Sequence, residues 1–148
     1  MKRAEVTEKI LSAKRLKGLT WEGIAKEIGG ASKIIITCAC MGQMKMTKEQ
    51  AAKAAKLFDL GKEEELLLAE VPYRGSLPQV PPTDPLIYRF YELISVYGTT
   101  FKELIHEEFG DGIMSAIDFK MDLQREANPA GDRVSIVMSG KFLPYKTY

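Results

Sequence analysis

The sequence predicts an α+β protein: a bundle of short helices, followed by a small C-terminal domain of two helices and a β-hairpin that pairs with another subunit. Three observations lead there. The first seventy residues carry helical apolar spacing broken by glycine at Gly18, Gly29-Gly30, Gly42 and Gly61. Five of the seven prolines are crowded between Val71 and Pro85. Beyond Gly110-Asp111-Gly112 the apolar residues change from the helical period to alternation. The resulting boundaries are 1–70 for the bundle, 71–85 for a Pro-rich linker and 86–148 for the C-terminal domain. A chain of 148 residues buries about two-thirds of its unfolded surface, enough for one good core or two small ones.

Val6, Ile10, Leu11, Ala13 and Leu16 form one stripe of a first helix that ends at Gly18. Thr20 caps a second helix, Trp21 to Ile28, stopped by Gly29-Gly30. Ser32 begins a third, through Met41, ended by Gly42. Thr47 opens a fourth with a capping box, its hydroxyl facing the N–H three residues on while Gln50 reaches back. A fifth helix follows Gly61, with Leu66, Leu67 and Leu68 as its apolar side.

Short helices at these intervals, with Trp21-Glu22-Gly23-Ile24-Ala25 ahead of a glycine turn, resemble the repressor-type bundle that carries a helix-turn-helix. One reading of the chain is therefore a DNA-binding regulator with a C-terminal dimerisation domain. Its recognition helix would be residues 32–41, SKIIITCACM, which offers one cation, Lys33, and little to reach phosphates or base edges. The charge balance points the same way. The formal charge is +1, divided as +3 over residues 1–70 (13 Lys/Arg, 10 Asp/Glu) and −2 over 71–148 (8 Lys/Arg, 10 Asp/Glu). Neither half has the electrostatic footprint of a nucleic-acid partner.

Asp84 is a good N-cap and Pro85 fits the first helical position, so a helix is expected from Pro85 to about Tyr97, stopped by Gly98. Thr99 or Thr100 then caps a second helix through Phe109. Arg89 and Glu92, three residues apart, are neighbours on one face. They read either as an ordinary surface ion pair, worth ~0.3 kcal/mol, or as a cation held in a fixed direction. Tyr88, Phe90 and Tyr91 around the Arg favour a charge at a buried wall or interface.

After the glycine turn, Ile113, Ile117, Phe119, Met121 and Leu123 fall on one face of a strand, with Asp118, Lys120 and Asp122 on the other. Ser115 lies in the apolar row. It is either a small filler satisfied by a backbone carbonyl or a hydroxyl beside glycine-turn N–H groups able to bind an anion. Asn128 to Asp132 is a turn, and Arg133 to Gly140 alternates again through Val134, Ile136 and Met138. Two strands are marginal by themselves, so another copy of the chain is the economical cover for the hairpin's apolar face.

Cys38 and Cys40 do not face each other on a helix and are too few for a structural zinc site. They fit small buried side chains in a reducing compartment. His106, the single histidine, is a tempting general base, yet a lone helical His is more often structural. No apolar run approaches the ~20 residues of a membrane span, and the opening Met1-Lys2-Arg3-Ala4-Glu5 leads into a polar helix. A soluble intracellular protein is expected.

The run YRFYE (88–92), then YGTT (97–100), then HEEFGDGIMSAIDF (106–119), closely resembles the catalytic region of the cyanase (cyanate hydratase, cyanate lyase) family. The likeness is collinear and extends more weakly over nearly the whole chain, through PPTDP (81–85) to GKFLPY (140–145). It implies that Arg89, Glu92 and Ser115 are the catalytic residues: Arg89 binding anion and stabilising a dianion, Glu92 holding the Arg, Ser115 fixing the second anion. It also implies that cyanate and bicarbonate combine to release carbon dioxide and carbamate, which decomposes to ammonia and a second carbon dioxide. Bicarbonate is then a co-substrate and no metal or organic cofactor is needed. The resemblance further implies a homodecamer built from dimers with sites shared between subunits, no nucleic-acid or membrane partner, and a cytoplasmic setting. His106 has no role in the family's site. Departures such as Gly23 and the Cys-x-Cys lie far in sequence from these residues.

Overall fold

The structure, a computed structural model, describes residues 1–75 and 79–146. Five helices come first: α1 (Arg3–Leu16), α2 (Trp21–Ile28), α3 (Lys33–Cys40), α4 (Lys48–Phe58) and α5 (Lys62–Ala69). Their starts are set locally. Thr20 Oγ1 accepts from Gly23 N–H at 3.1 Å. The capping box at α4 is complete, with Gln50 N–H donating to Thr47 Oγ1 at 3.1 Å and Thr47 N–H to Gln50 Oε1 at 3.0 Å. Ile10, Ile24, Ile28, Ile36, Phe58 and Leu68 meet in one core. The three leucines of α5 do not share a side, because successive helical residues are ~100° apart: Leu68 is buried and Leu66 is exposed.

Glu64 is a feature that periodicity does not show. It is buried on the first turn of α5 and paired with Lys9 of α1. The hydrogen bond from Lys9 is the main reason its carboxyl titrates below the usual carboxylate range. A carboxyl with a depressed folded pKa contributes stability that is fully present above its unfolded value, ~4.3, and is lost as pH falls through the folded value. Glu64→Gln should therefore flatten the acid side of the stability curve. Thermal melting of both proteins between about pH 3 and pH 6 checks this, and equal slopes would remove Glu64 from the acid response.

The C-terminal half begins with α6 (Pro85–Phe109), a single helix of 25 residues. Asp84 Oδ1 accepts from the N–H groups of Leu86 and Ile87, both at 2.9 Å, with Pro85 at the first position. The stop expected at Gly98, and with it the division into two helices, does not occur. Gly98 has no positive φ, and a glycine within a helix costs only ~1 kcal/mol relative to Ala, so the helix formers on both sides carry the chain through. Gly110, at φ 89°, is where the helix ends.

Two strands follow, β1 (Gly112–Glu126) and β2 (Arg133–Pro144), paired in one two-stranded sheet. The turn between them is the expected one, Ala130 N–H donating to Asn128 Oδ1 at 2.9 Å and Gly131 N–H to the Asn128 carbonyl at 3.0 Å. The α+β class is thus observed. The chain divides into two compact units, Met1–Gly75 with Met121–Val137, and Ser76–Lys120 with Met138–Tyr148. In the first unit the hairpin segment meets the bundle where Ser32 Oγ donates to the Met121 carbonyl at 3.0 Å. The buried hydrophobic residues among those described all lie between Val6 and Leu68, so the second unit has no apolar core of its own.

Candidate active site

Arg89 and Glu92 are brought together by helical spacing. Arg89 Nη1 lies 3.3 Å from Glu92 Oε2. The guanidinium stands 6.0 Å from the centroid of the Tyr88 ring, which in turn packs against Tyr91 with centroids 6.1 Å apart. The side chains of the pair are 68% and 51% exposed, so the pair adds little stability. Its consequence is directional. A guanidinium carries five N–H donors, and among the described residues only Nη1 is engaged, leaving an aimed fork open to an anion.

Ser115 is placed differently. It is buried, 6% exposed, near the start of β1. Its Oγ accepts from the N–H groups of Ile117 and Asp118, both at 3.0 Å. Successive N–H groups of a regular strand point to opposite edges, so two turned towards one hydroxyl mark a bulge. This breaks the alternation expected from the sequence and leaves Ile117, assigned to the apolar face, 98% exposed. Among the described residues no carbonyl accepts from the hydroxyl, as one would for a filler. With N–H donors on its oxygen, what it still has to give is its proton, which suits a donor to an anion better than a nucleophile. The two backbone N–H groups that set it belong to the candidate site and are what spacing alone missed. In the glycine turn, Gly110 N–H is already taken by the His106 carbonyl at 3.0 Å, so that donor is not available to an anion.

Among the described residues no hydrogen bond joins Ser115 to Arg89 or Glu92. His106 sits in the last turn of α6 with both ring nitrogens in local contacts, Nε2 3.0 Å from Lys102 Nζ and Nδ1 3.9 Å from Asp111 Oδ1. An ammonium can only donate, so Nε2 accepts and the ring proton faces Asp111. That is a structural role at a helix end. Cys38 and Cys40 are free. Burial pushes the Cys40 thiol up to about 12 and raises that of Cys38, which makes both poor nucleophiles. Among the described residues no cluster of three or more His, Cys, Asp or Glu could hold a metal ion.

The recognition surface required by a DNA-binding reading is not free. Lys33, the one cation of α3, is paired with Glu22 at 2.9 Å, and the start of that helix is occupied by the Ser32 contact with Met121.

Comparison with known proteins accounts for both halves of the chain. Residues 3–72 match the family model "Cyanate hydratase, N-terminal", and residues 79–147 match "Cyanate lyase C-terminal domain". The cyanate hydratase of Methylibium petroleiphilum is 70% identical over 148 residues, the whole of both chains. That of Dechloromonas aromatica is 64% identical over the same span. The crystal structure of cyanase from T. urticae superposes with a TM-score of 0.81 at 40% identity, covering 94% of this chain and 96% of that one. With both halves matched by the family's models and full-length relatives at these identities, the chain belongs to the cyanate hydratase (cyanate lyase) family.

Proposed function

We propose that this chain decomposes cyanate by joining it to bicarbonate at a site built from Arg89, Glu92 and Ser115, with no metal or organic cofactor. The activity itself, that of a C–N lyase acting on cyanate, goes with membership of the family. Both reactants are anions, and their mutual repulsion is the physical problem. Fixed cations and N–H or O–H donors in a site closed to water answer it.

The open fork of Arg89 binds anion and stabilises the dianion formed when a bicarbonate oxygen bonds to the cyanate carbon. As that oxygen's bond to the bicarbonate carbon breaks, carbon dioxide leaves. With protonation at nitrogen, carbamate remains and decomposes to ammonia and a second carbon dioxide. Glu92 orients the Arg and, beside its own counter-ion, is a poor nucleophile. Ser115 donates its hydroxyl proton to the second anion.

The observation that carries this reading is the Arg89–Glu92 pair on a helix that buries none of its residues within the chain. A cation aimed by a carboxylate and ringed by Tyr88, Phe90 and Tyr91 becomes a water-excluded anion site once a second surface covers it. The same helix supports a homo-oligomer, a decamer built from dimers, in which neighbouring chains provide the cover and share the sites. Phe90, Leu93, Ile94, Tyr97 and Phe101 are all exposed in the single chain, a larger apolar face than soluble monomers tolerate. Residues 1–70 then serve oligomerisation and 86–148 catalysis. No helix among the described residues is long and apolar enough to cross a membrane, and two free thiols suit a reducing cytoplasm.

Ammonia release from cyanate, measured with and without bicarbonate and with a chelator, tests the reading. Turnover should require bicarbonate and be unchanged by EDTA. Activity abolished by EDTA and restored by zinc would sink the cofactor-free mechanism.

A further inference from the structure

We propose that Gly140, on β2, is a positioning residue that fixes the direction of the Ser115 hydroxyl. The proposal rests on the reading that Ser115 touches substrate. A Cβ on Gly140 would overlap the Ser115 carbonyl oxygen, and would stand 2.5 Å from Met114 Cγ and 3.3 Å from Met114 Sδ. Real Cβ atoms essentially never approach as closely as the first two of these contacts. Gly140 has no positive φ, so the backbone conformation does not call for glycine. Glycine inside a strand weakens it by leaving nothing to pack. The space taken by Ser115 and Met114 is what the missing side chain explains.

The consequence for the site is mechanical. Ser115 is constrained at two points: its hydroxyl accepts from the N–H groups of Ile117 and Asp118, and β2 at Gly140 leaves no room for a Cβ beside its carbonyl. With the oxygen pinned on the bulge and the peptide pinned against the facing strand, the free O–H direction is set before any anion arrives. A methyl at 140 must push the Ser115 peptide away, and the hydroxyl moves with it. A displacement of about 1 Å in a positioned group can cost on the order of a hundredfold in rate.

A double-mutant cycle separates this from a merely structural role. Gly140→Ala is expected to lower kcat by about a hundredfold in the assembled enzyme. Made on top of Ser115→Ala, the same change should cost no more than about threefold, because the group it acts through is gone. Gly112 provides the control. A Cβ there would overlap the Leu143 carbonyl oxygen and stand 2.5 Å from the Phe142 ring and 2.9 Å from Pro144 Cα, its three nearest neighbours, none of them in Ser115. Gly112→Ala should weaken thermal stability and cost the same with Ser or Ala at 115. If Gly140→Ala alone does not assemble, Met114→Ala/Gly140→Ala removes the side-chain part of the crowding and keeps the part against the Ser115 carbonyl. Its kcat loss should again vanish on Ser115→Ala. Equal losses from the Gly140 change in both backgrounds overturn the role of Gly140 alone. Near-normal activity of Ser115→Ala by itself overturns the assignment of Ser115, and with it that of Gly140.

Discussion

Arg89→Lys is expected to lose about a hundredfold in turnover although the positive charge is kept. The guanidinium presents a planar array of donors, of which Glu92 takes Nη1 at 3.3 Å and leaves the others pointing away from the carboxylate. A Lys ammonium is a compact point charge on a flexible stem. Paired with Glu92 it would have no second fork to offer, and turned towards the substrate it would lose the partner that aims it. Removing a donor from a developing charge typically costs ~3 kcal/mol, or on the order of a hundredfold in kcat. In the single chain the exposed pair is worth only ~0.3 kcal/mol, and Lys keeps a charge beside Glu92, so the melting temperature should move little beside the loss in turnover. Steady-state kinetics and a melting curve on the same preparation decide the matter. Near-normal turnover would make Arg89 structural, and a collapsed melt would mean that the pair does more for the fold than its exposure allows.

What the sequence made legible is what short-range chemistry settles. Thr20, the Thr47/Gln50 box and the Asp84-Pro85 start satisfy helix ends with atoms two or three residues away, and each could be read before any packing was known. Gly98 misled because propensity is a weak prior: glycine lowers helix stability without ending a helix, and the true stop at Gly110 needs its positive φ. The Ser115 bulge was hidden because alternation assumes a regular ladder, and one hydroxyl capturing two N–H groups breaks it. Glu64 and Lys9 are 55 residues apart, beyond what periodicity links. For the site, spacing placed Arg89 beside Glu92 but by itself favoured an ordinary surface pair over an aimed cation. The collinear family resemblance joined Ser115 to them. The apolar face of α6 stays exposed, because none of the described residues of its own chain buries it.

Mixing two severely impaired variants, Arg89→Ala and Ser115→Ala, each with only residual turnover, by joint unfolding and refolding is expected to restore activity well above either parent. The ground for this is reach within one chain. Roughly 30 Å of helix separates Arg89 from Phe109, and the segment from Phe109 to Ser115 extends at most ~20 Å. Ser115 could come within ~10 Å of Arg89, backbone to backbone, only by running straight back along α6. Two contacts speak against that path. Phe109 packs on Phe142 with ring centroids 5.2 Å apart, and Tyr145 N–H donates to the Asp111 carbonyl at 3.0 Å, so the base of the hairpin is tied to the far end of the helix. No residue of α6 is buried, as a hairpin laid along it would require. On the proposed reading, a neighbouring chain is therefore expected to supply the Ser115 that serves a given Arg89. In the simplest closed symmetric oligomer, with one Arg and one Ser per site from different chains, random assembly leaves about a quarter of the sites with both side chains intact. If both residues come from one chain, no mixed oligomer holds a complete site. Light scattering establishes that the mixture has assembled to the same size as the parent enzyme, and a correctly assembled mixture that stays at the residual level of the two variants rules the shared site out.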